Sequence, residues 1–183
     1  MAEFRLETER LILRGWRDAD HAPLLAICRD PAVMEFLGPL LDEDGIRAAI
    51  GRQRDHQARL GHCYWAIERK SDSEMLGFCG IQPEPEGIPI AGLPDIGWRL
   101  THHAWGQGYA REAATASLDW GFANLDEERI WAITTPGNVR SWGLMERLGM
   151  KRHLELDFEH PKVPDGSPLK HHITYSIARP DSR

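Results

Sequence analysis

Two glycines bracket a single residue at Gly106-Gln-Gly108, and the hydrophobic period of the chain changes across them. Before them, Asp95 to Thr101 reads as a strand. After them, Ala110, Ala114, Leu118 and Phe122 fall at steps of four, with Leu125 at the end, which predicts an amphipathic helix. Glycines at such a junction let the backbone turn tightly and approach a ligand closely. The first turn of the helix carries unpaired N–H groups and the positive end of the helix dipole, so an anionic group is well placed there. A strand–glycine–helix unit of this kind requires a sheet with a helix laid against it.

The rest of the chain supplies the other elements. Arg10-Leu-Ile-Leu-Arg14 predicts a short strand, and Asp18 is the expected N-cap of a helix containing Leu24, Leu25 and Ile27. Asp42 is expected to start a polar helix through about Leu60, with Ile46 and Ile50 on one face. Cys63 to Glu68 and Met75 to Gln82 read as strands about a Ser71-Asp72 turn, followed by a Pro/Gly-rich loop from Pro83 to Pro94. Arg129 to Thr135 and Met150 to Phe158 read as strands on either side of a short helix. Asn138 caps that helix and Gly149 sits at its C′ position. His171, Ile173, Tyr175 and Ile177 alternate as a closing strand. This order predicts an α/β (α+β) fold: a single domain over residues 1–183, with a mixed central sheet of about seven strands flanked by helices.

Composition narrows the function. With 42% apolar and 27% charged residues the chain is expected to fold, and 183 residues suit one core. A net charge of −6 and the lack of any Lys/Arg run argue against nucleic acid as a partner. The cysteines, Cys28, Cys63 and Cys79, are odd in number and form no CxxC pair, so free thiols in a reducing cytoplasm are expected. The N-terminal Met-Ala-Glu-Phe-Arg-Leu-Glu has no apolar stretch of the signal-peptide kind, and no run approaches a membrane span. His102-His103 and His171-His172 are adjacent pairs whose side chains point to opposite faces of a strand, and HExxH is absent, so no metal is expected.

Three phosphate-binding readings compete at the glycine turn. A Walker A loop needs GKS or GKT, which is absent. A Rossmann fingerprint needs a third small residue where Arg111 stands, and repeated βαβ units. The third is the pyrophosphate loop of acetyl-CoA-dependent acyltransferases. Asp95-Ile-Gly-Trp-Arg-Leu100 followed by His103-Ala-Trp-Gly-Gln-Gly-Tyr-Ala-Arg-Glu-Ala113 resembles the strand–loop–helix core of the GNAT superfamily of N-acetyltransferases. Asn138-Val-Arg-Ser141 with Leu148-Gly149-Met150 resembles the second half of that pattern. Thr8-Glu-Arg-Leu-Ile-Leu-Arg14 and the segment from Phe158-Glu-His-Pro161 to Pro164-Asp-Gly166 resemble its RimJ/RimL-type branch.

The resemblance implies splayed strands forming a V-shaped cleft for coenzyme A. Trp98, Leu100 and Thr101 would lie along the pantetheine. Trp105, Gly106, Gln107, Gly108, Tyr109, Ala110 and Arg111 would hold the pyrophosphate, mostly through amides. Asn138 and Ser141 would contact the coenzyme from the later helix. The implied reaction is direct attack of a primary amine, on a protein N-terminus or a small molecule, on the thioester of acetyl-CoA. A Lys-type amine has a pKa of about 10.4 and an α-amine about 7.7–8.0, whereas the leaving thiol is near 8.5, so a general base matters more than an acid. Glu84, Glu86 and Asp95 are the carboxylates expected near the cleft, with Glu84 and Asp95 the candidate bases. Many family members carry a Tyr three residues before the Leu-Gly pair, and here that position is Met145. Ser141 is then the candidate partner of the leaving sulfur, and a backbone N–H near Leu100 would stabilise the oxyanion. Trp98 and Trp142 are candidate walls of the acceptor site. A non-catalytic acyl-CoA-binding module is the alternative. The branch also implies a homodimer, with the closing strand near Tyr175 as a candidate contact.

Overall fold

A computed structural model describes residues 4–180. Residues 1–3, the first three positions of the polar N-terminal stretch, lie outside the described residues, as do 181–183. The chain forms two compact units. The first takes in residues up to Gln82 together with Gly97–Ser117, and the second takes in Pro83–Ile96 together with the chain from Leu118 onward.

In the first unit the strand order is β1 (Arg5–Glu7), β2 (Leu11–Arg14), β3 (Tyr64–Arg69), β4 (Met75–Pro83) and the end of β5 (Pro94–Leu100). The pairings β1–β2, β2–β3 and β3–β4 are antiparallel. Every residue of β2 is buried, including Arg14 at 4% exposure. A buried guanidinium requires counter-charge. Arg14 receives it from Asp20, by two bonds of 2.8 and 2.9 Å, and from Glu68 at 2.7 Å.

The helices of this unit follow their caps. Asp42 accepts from the Gly45 amide at 2.8 Å and starts α3 (Glu43–Leu60), which ends at Gly61 with φ of 79°. Ile46 and Ile50 are buried as their spacing requires. The polar face of α3 also pins β3: Gln53 Oε1 accepts from the Tyr64 amide at 2.9 Å, and Gln57 Oε1 accepts from Trp65 Nε1 at 2.8 Å. Asp18 departs from expectation. It opens a 3₁₀ turn, Asp18–Asp20, and the α-helix α1 (His21–Arg29) follows it. The carboxylate of Asp20 is committed to Arg14 and to the Arg17 amide at 2.7 Å. Asp30 caps the short α2 (Pro31–Met34) by accepting from Ala32 N at 2.9 Å.

The second unit is built on β6 (Arg129–Thr134). It pairs in parallel with β5 at Asp95 and Trp131, and antiparallel with β9 (His171–Ala178) along its whole length. The strand expected from Met150 to Phe158 is instead broken into β7 (Lys151–Arg152), a 3₁₀ turn (Leu154–Leu156) and β8 (Phe158–Glu159). The break is held in place: His153 N donates to Thr174 O at 2.9 Å, and Thr174 Oγ1 donates to Leu156 O at 2.8 Å. Among the described residues the sheet has nine strands, the mixed sheet the sequence predicts with the two- or three-residue β1, β7 and β8 included.

The closing strand forms as β9, and within the chain it is paired on both edges, by β6 and by β7 and β8. Its residues Ile173 to Ser176 are all buried, and Tyr175 is 4% exposed. α5 (Val139–Arg147) closes as its sequence predicts: Gly149 adopts φ of 86°, and Met150 N donates back to Met145 O at 3.0 Å. That bond over five residues is the Schellman closure a C′ glycine permits.

The candidate coenzyme loop and carboxylate pair

In the first unit β5 leads through Thr101 and a 3₁₀ turn (His102–Ala104) to Trp105, the two glycines and α4 (Tyr109–Asn124). The loop braces itself. Thr101 N donates to Leu76 O at 2.8 Å, Trp105 Nε1 to Leu100 O at 2.9 Å, and Gln107 Nε2 to His103 O at 2.7 Å. Gly106 and Gly108 have φ of 72° and 83°, in the left-handed region that disfavours any side chain. A Cβ at Gly108 would stand 3.3 Å from Arg10 Nη2. The first helical bond runs from Glu112 N to Gly108 O at 3.0 Å, so the amides ahead of it have no acceptor inside the helix. Gly106, Gln107, Gly108 and Arg111 are exposed, and Trp105 and Ala110 are partly so. These open amides with small, turned backbone fit an anionic group such as a pyrophosphate.

Tyr109 is not an open helix-start residue. It is 8% exposed, its ring lies 4.4 Å beneath the Arg10 guanidinium, and Arg69 sits 5.9 Å from the ring centre. Arg10 is a residue the motif reading gave no role. It donates to Gln107 O at 3.0 Å, and its Nε and backbone N both reach Glu112. Only the packing of β2 beside the helix start reveals it.

In the second unit the Pro83–Pro94 loop is closed by Glu84 N donating to Leu93 O at 3.0 Å and Gly92 N donating to Glu84 O at 2.9 Å. Ile88 and Ile90 are buried under it. This closure sets the Glu84 side chain near enough to Asp95, itself 3% exposed, for the two carboxyl groups to interact. Burial pushes the Glu84 carboxyl above the usual carboxylate range, against the opposing pull of Asp95 and the charge of Lys162. Glu86 is exposed. Lys162 went unnoticed in the sequence because it lies in a distant loop. Near it, burial and the charges of Lys162 and Lys170 depress the His160 imidazole, whose ring sits 4.9 Å from that of His172.

Asn138 caps α5, its Oδ1 accepting from the Ser141 amide at 3.4 Å. The Ser141 hydroxyl has no hydrogen-bond partner among the described residues, and its side chain is partly exposed. Thr135, six residues earlier and 2% exposed, also holds its Oγ1 without a partner among the described residues. Trp142 is fastened by Nε1 to Pro136 O at 3.0 Å, and Met145 is buried at 2% exposure. Burial pushes the Cys63 and Cys79 thiols up to about 12, which leaves neither as a thiolate nucleophile near neutral pH. Among the described residues no cluster of three or more His, Cys, Asp or Glu side chains could hold a metal. No helix among them is long and apolar enough to cross a membrane.

Known proteins give these features a common frame. The family profile described as "Acetyltransferase (GNAT) domain" matches residues 10–151. The chain is 35% identical over 150 residues to YkkB of Bacillus subtilis (strain 168), covering 81% of this chain and 86% of that protein. It is 34% identical over 174 residues to the uncharacterized N-acetyltransferase YnaD of the same organism, covering 94% and 95% of the two chains. Among solved structures, an acetyltransferase from Agrobacterium tumefaciens str. C58 superposes with a TM-score of 0.78 at 26% identity, over 97% of this chain and 95% of that one. The chain belongs to the GNAT family of acetyltransferases.

Proposed function

We propose that this protein is a single catalytic domain that transfers the acetyl group of acetyl-CoA to a primary amine, by direct attack of the amine on the thioester. The observation that carries the reading is the start of α4, where two left-handed glycines and the open first amides of the helix offer a site for the coenzyme's pyrophosphate. Trp98, Leu100 and Thr101 are assigned to the pantetheine, and Trp105 to Arg111 to the phosphates, following the family pattern.

The Glu84–Asp95 pair takes the proton of the amine. A carboxyl raised by burial is a stronger base than an ordinary exposed carboxylate, and its partner can accept part of the proton it gains. Asn138 positions the start of α5 and contacts the coenzyme. Ser141, whose hydroxyl is uncommitted, donates to the leaving sulfur in place of the tyrosine that Met145 replaces. An α-amine, partly neutral near pH 7, makes less demand on the base than a lysine-type amine. Buried reduced cysteines suit a reducing cytoplasm.

The test is incubation with acetyl-CoA and a panel of primary amines, small molecules and peptides with free N-termini, following free thiol and acetylated product together. Thiol release matched by an acetylated amine supports the reading. Coenzyme binding with no acetylated product from any amine overturns it in favour of a sensing module.

A further inference from the structure

Arg99 lies on β5 next to Leu100, in the first unit, and its surroundings differ from those of the ion-paired Arg10, Arg14 and Arg69. Arg14 is paired with Asp20 and Glu68, Arg69 with Asp72 and Glu74, and Arg10 with Glu112. Arg99 is half-buried and meets no carboxylate among the described residues. Its Nη1 donates to the sulfur of Cys28 at 3.1 Å, a weak acceptor. Its Nε is buried with no acceptor at all. A guanidinium drawn out of water without counter-charge is a poor arrangement for the protein alone, and a good one for binding an anion.

The neighbourhood is shaped as well as charged. The Arg99 guanidinium lies 5.3 Å from the centre of the Phe78 ring, and Phe78 stacks on Tyr64 at 5.6 Å with an angle of 10° between the rings. The Tyr64 ring reaches over Gly97, where any Cβ would come within 2.8 Å of it. Gly97 and Arg99 therefore share one face of β5 with an aromatic shelf. We infer that Arg99 is a specificity residue that docks an anionic oxygen group, carboxylate or phosphate, carried by the amine acceptor, with the Tyr64–Phe78 stack supporting the body of that acceptor. This rests on the acetyl-transfer reading and narrows its substrate class to amines that also bear an anion.

The experiment compares acceptors matched in everything but the anion: 4-(aminomethyl)benzoate against 4-(aminomethyl)benzamide, and phosphoethanolamine against ethanolamine. The expected result is a kcat/KM about tenfold or more higher for the anionic member of at least one pair. That ratio collapses in Arg99→Gln through KM and is partly restored in Arg99→Lys. The pair showing the preference tells carboxylate from phosphate. Equal rates within both pairs, or a ratio that Arg99→Gln leaves unchanged, overturns the inference while acetyl transfer itself stands. If no amine is acetylated, the transfer reading fails, and calorimetric binding of 4-(aminomethyl)benzoate still decides the anion site: affinity lost in Arg99→Gln supports it, and equal affinity in the two proteins overturns it. Where Arg99→Gln does not fold, Arg99→Met, which also removes the charge, is compared in its place.

Discussion

Arg10 donates from Nε to Glu112 Oε2 at 2.7 Å, across 102 residues of chain, while its own amide donates to Glu112 Oε1 at 2.8 Å. Thr8 Oγ1 completes the set by donating to the same carboxylate at 2.6 Å. Together these bonds tie the turn between β1 and β2 to the first turn of α4, and Arg10 passes the restraint on to the loop through Gln107 O. The glycine loop is thus held from outside by a carboxylate.

Glu112→Gln tests that tie. Burial opposes the charge of Glu112, but hydrogen bonds from Thr8 and Arg10 outweigh it and hold the carboxyl below its usual value. A carboxyl lowered in the folded state adds stability above its unfolded pKa, and that stability is lost as pH falls through the folded value. With Arg10 42% exposed the contribution is modest, about 1 kcal/mol. Thermal melts should show Glu112→Gln less stable at neutral pH, with the difference shrinking in acid. A difference that persists unchanged below the folded pKa of Glu112 refutes the linkage.

Gly108→Glu places bulk and negative charge at the proposed phosphate site, on a residue with φ of 83°. Calorimetry should show coenzyme A affinity reduced by more than about tenfold. Gly106→Ala is the control for strain alone, because a Cβ there meets nothing within 4 Å. Its backbone penalty is about 1 kcal/mol, with affinity little changed. Unaltered affinity in Gly108→Glu removes the loop from the coenzyme site.

Glu84→Gln removes one of the two carboxyl groups of the pair while keeping its size. Turnover should drop on the order of 10²-fold. In the wild-type protein activity should fall as pH decreases through the raised pKa of Glu84, because the base is then protonated. The variant should lose that acid limb from its pH–rate profile. A profile of unchanged shape places the base elsewhere.

Ser141→Ala leaves the α5 cap intact, since the cap uses the Ser141 amide and not its hydroxyl. The fold should therefore be undisturbed, and kcat should fall about tenfold with coenzyme affinity nearly unchanged, the expected loss of a hydrogen bond to a developing thiolate. If both constants match the wild type, the hydroxyl has no part in the reaction.

The features legible in the amino-acid order are those governed by local physics. Asp42, Asn138 and Gly149 act as cap and stop through bonds that span at most five residues. The turn at Gly106 and Gly108 follows from backbone sterics, and the face of α4 from its period. The break of Met150 to Phe158 was not legible, because it depends on bonds to Thr174 on another strand. Nor was the covering of Tyr175, since an alternating pattern says nothing about which strands lie at the edges.

The glycine turn and its helix start, and with them the family, were thus determined by sequence alone, because turn, cap and period are properties of neighbouring residues. Tertiary structure decided which groups meet: Arg10 with Glu112, Glu84 with Asp95, and Arg99 with the thiol of Cys28. The strength of a base or an ion site depends on burial and on partners distant in the chain, and only packing brings these together.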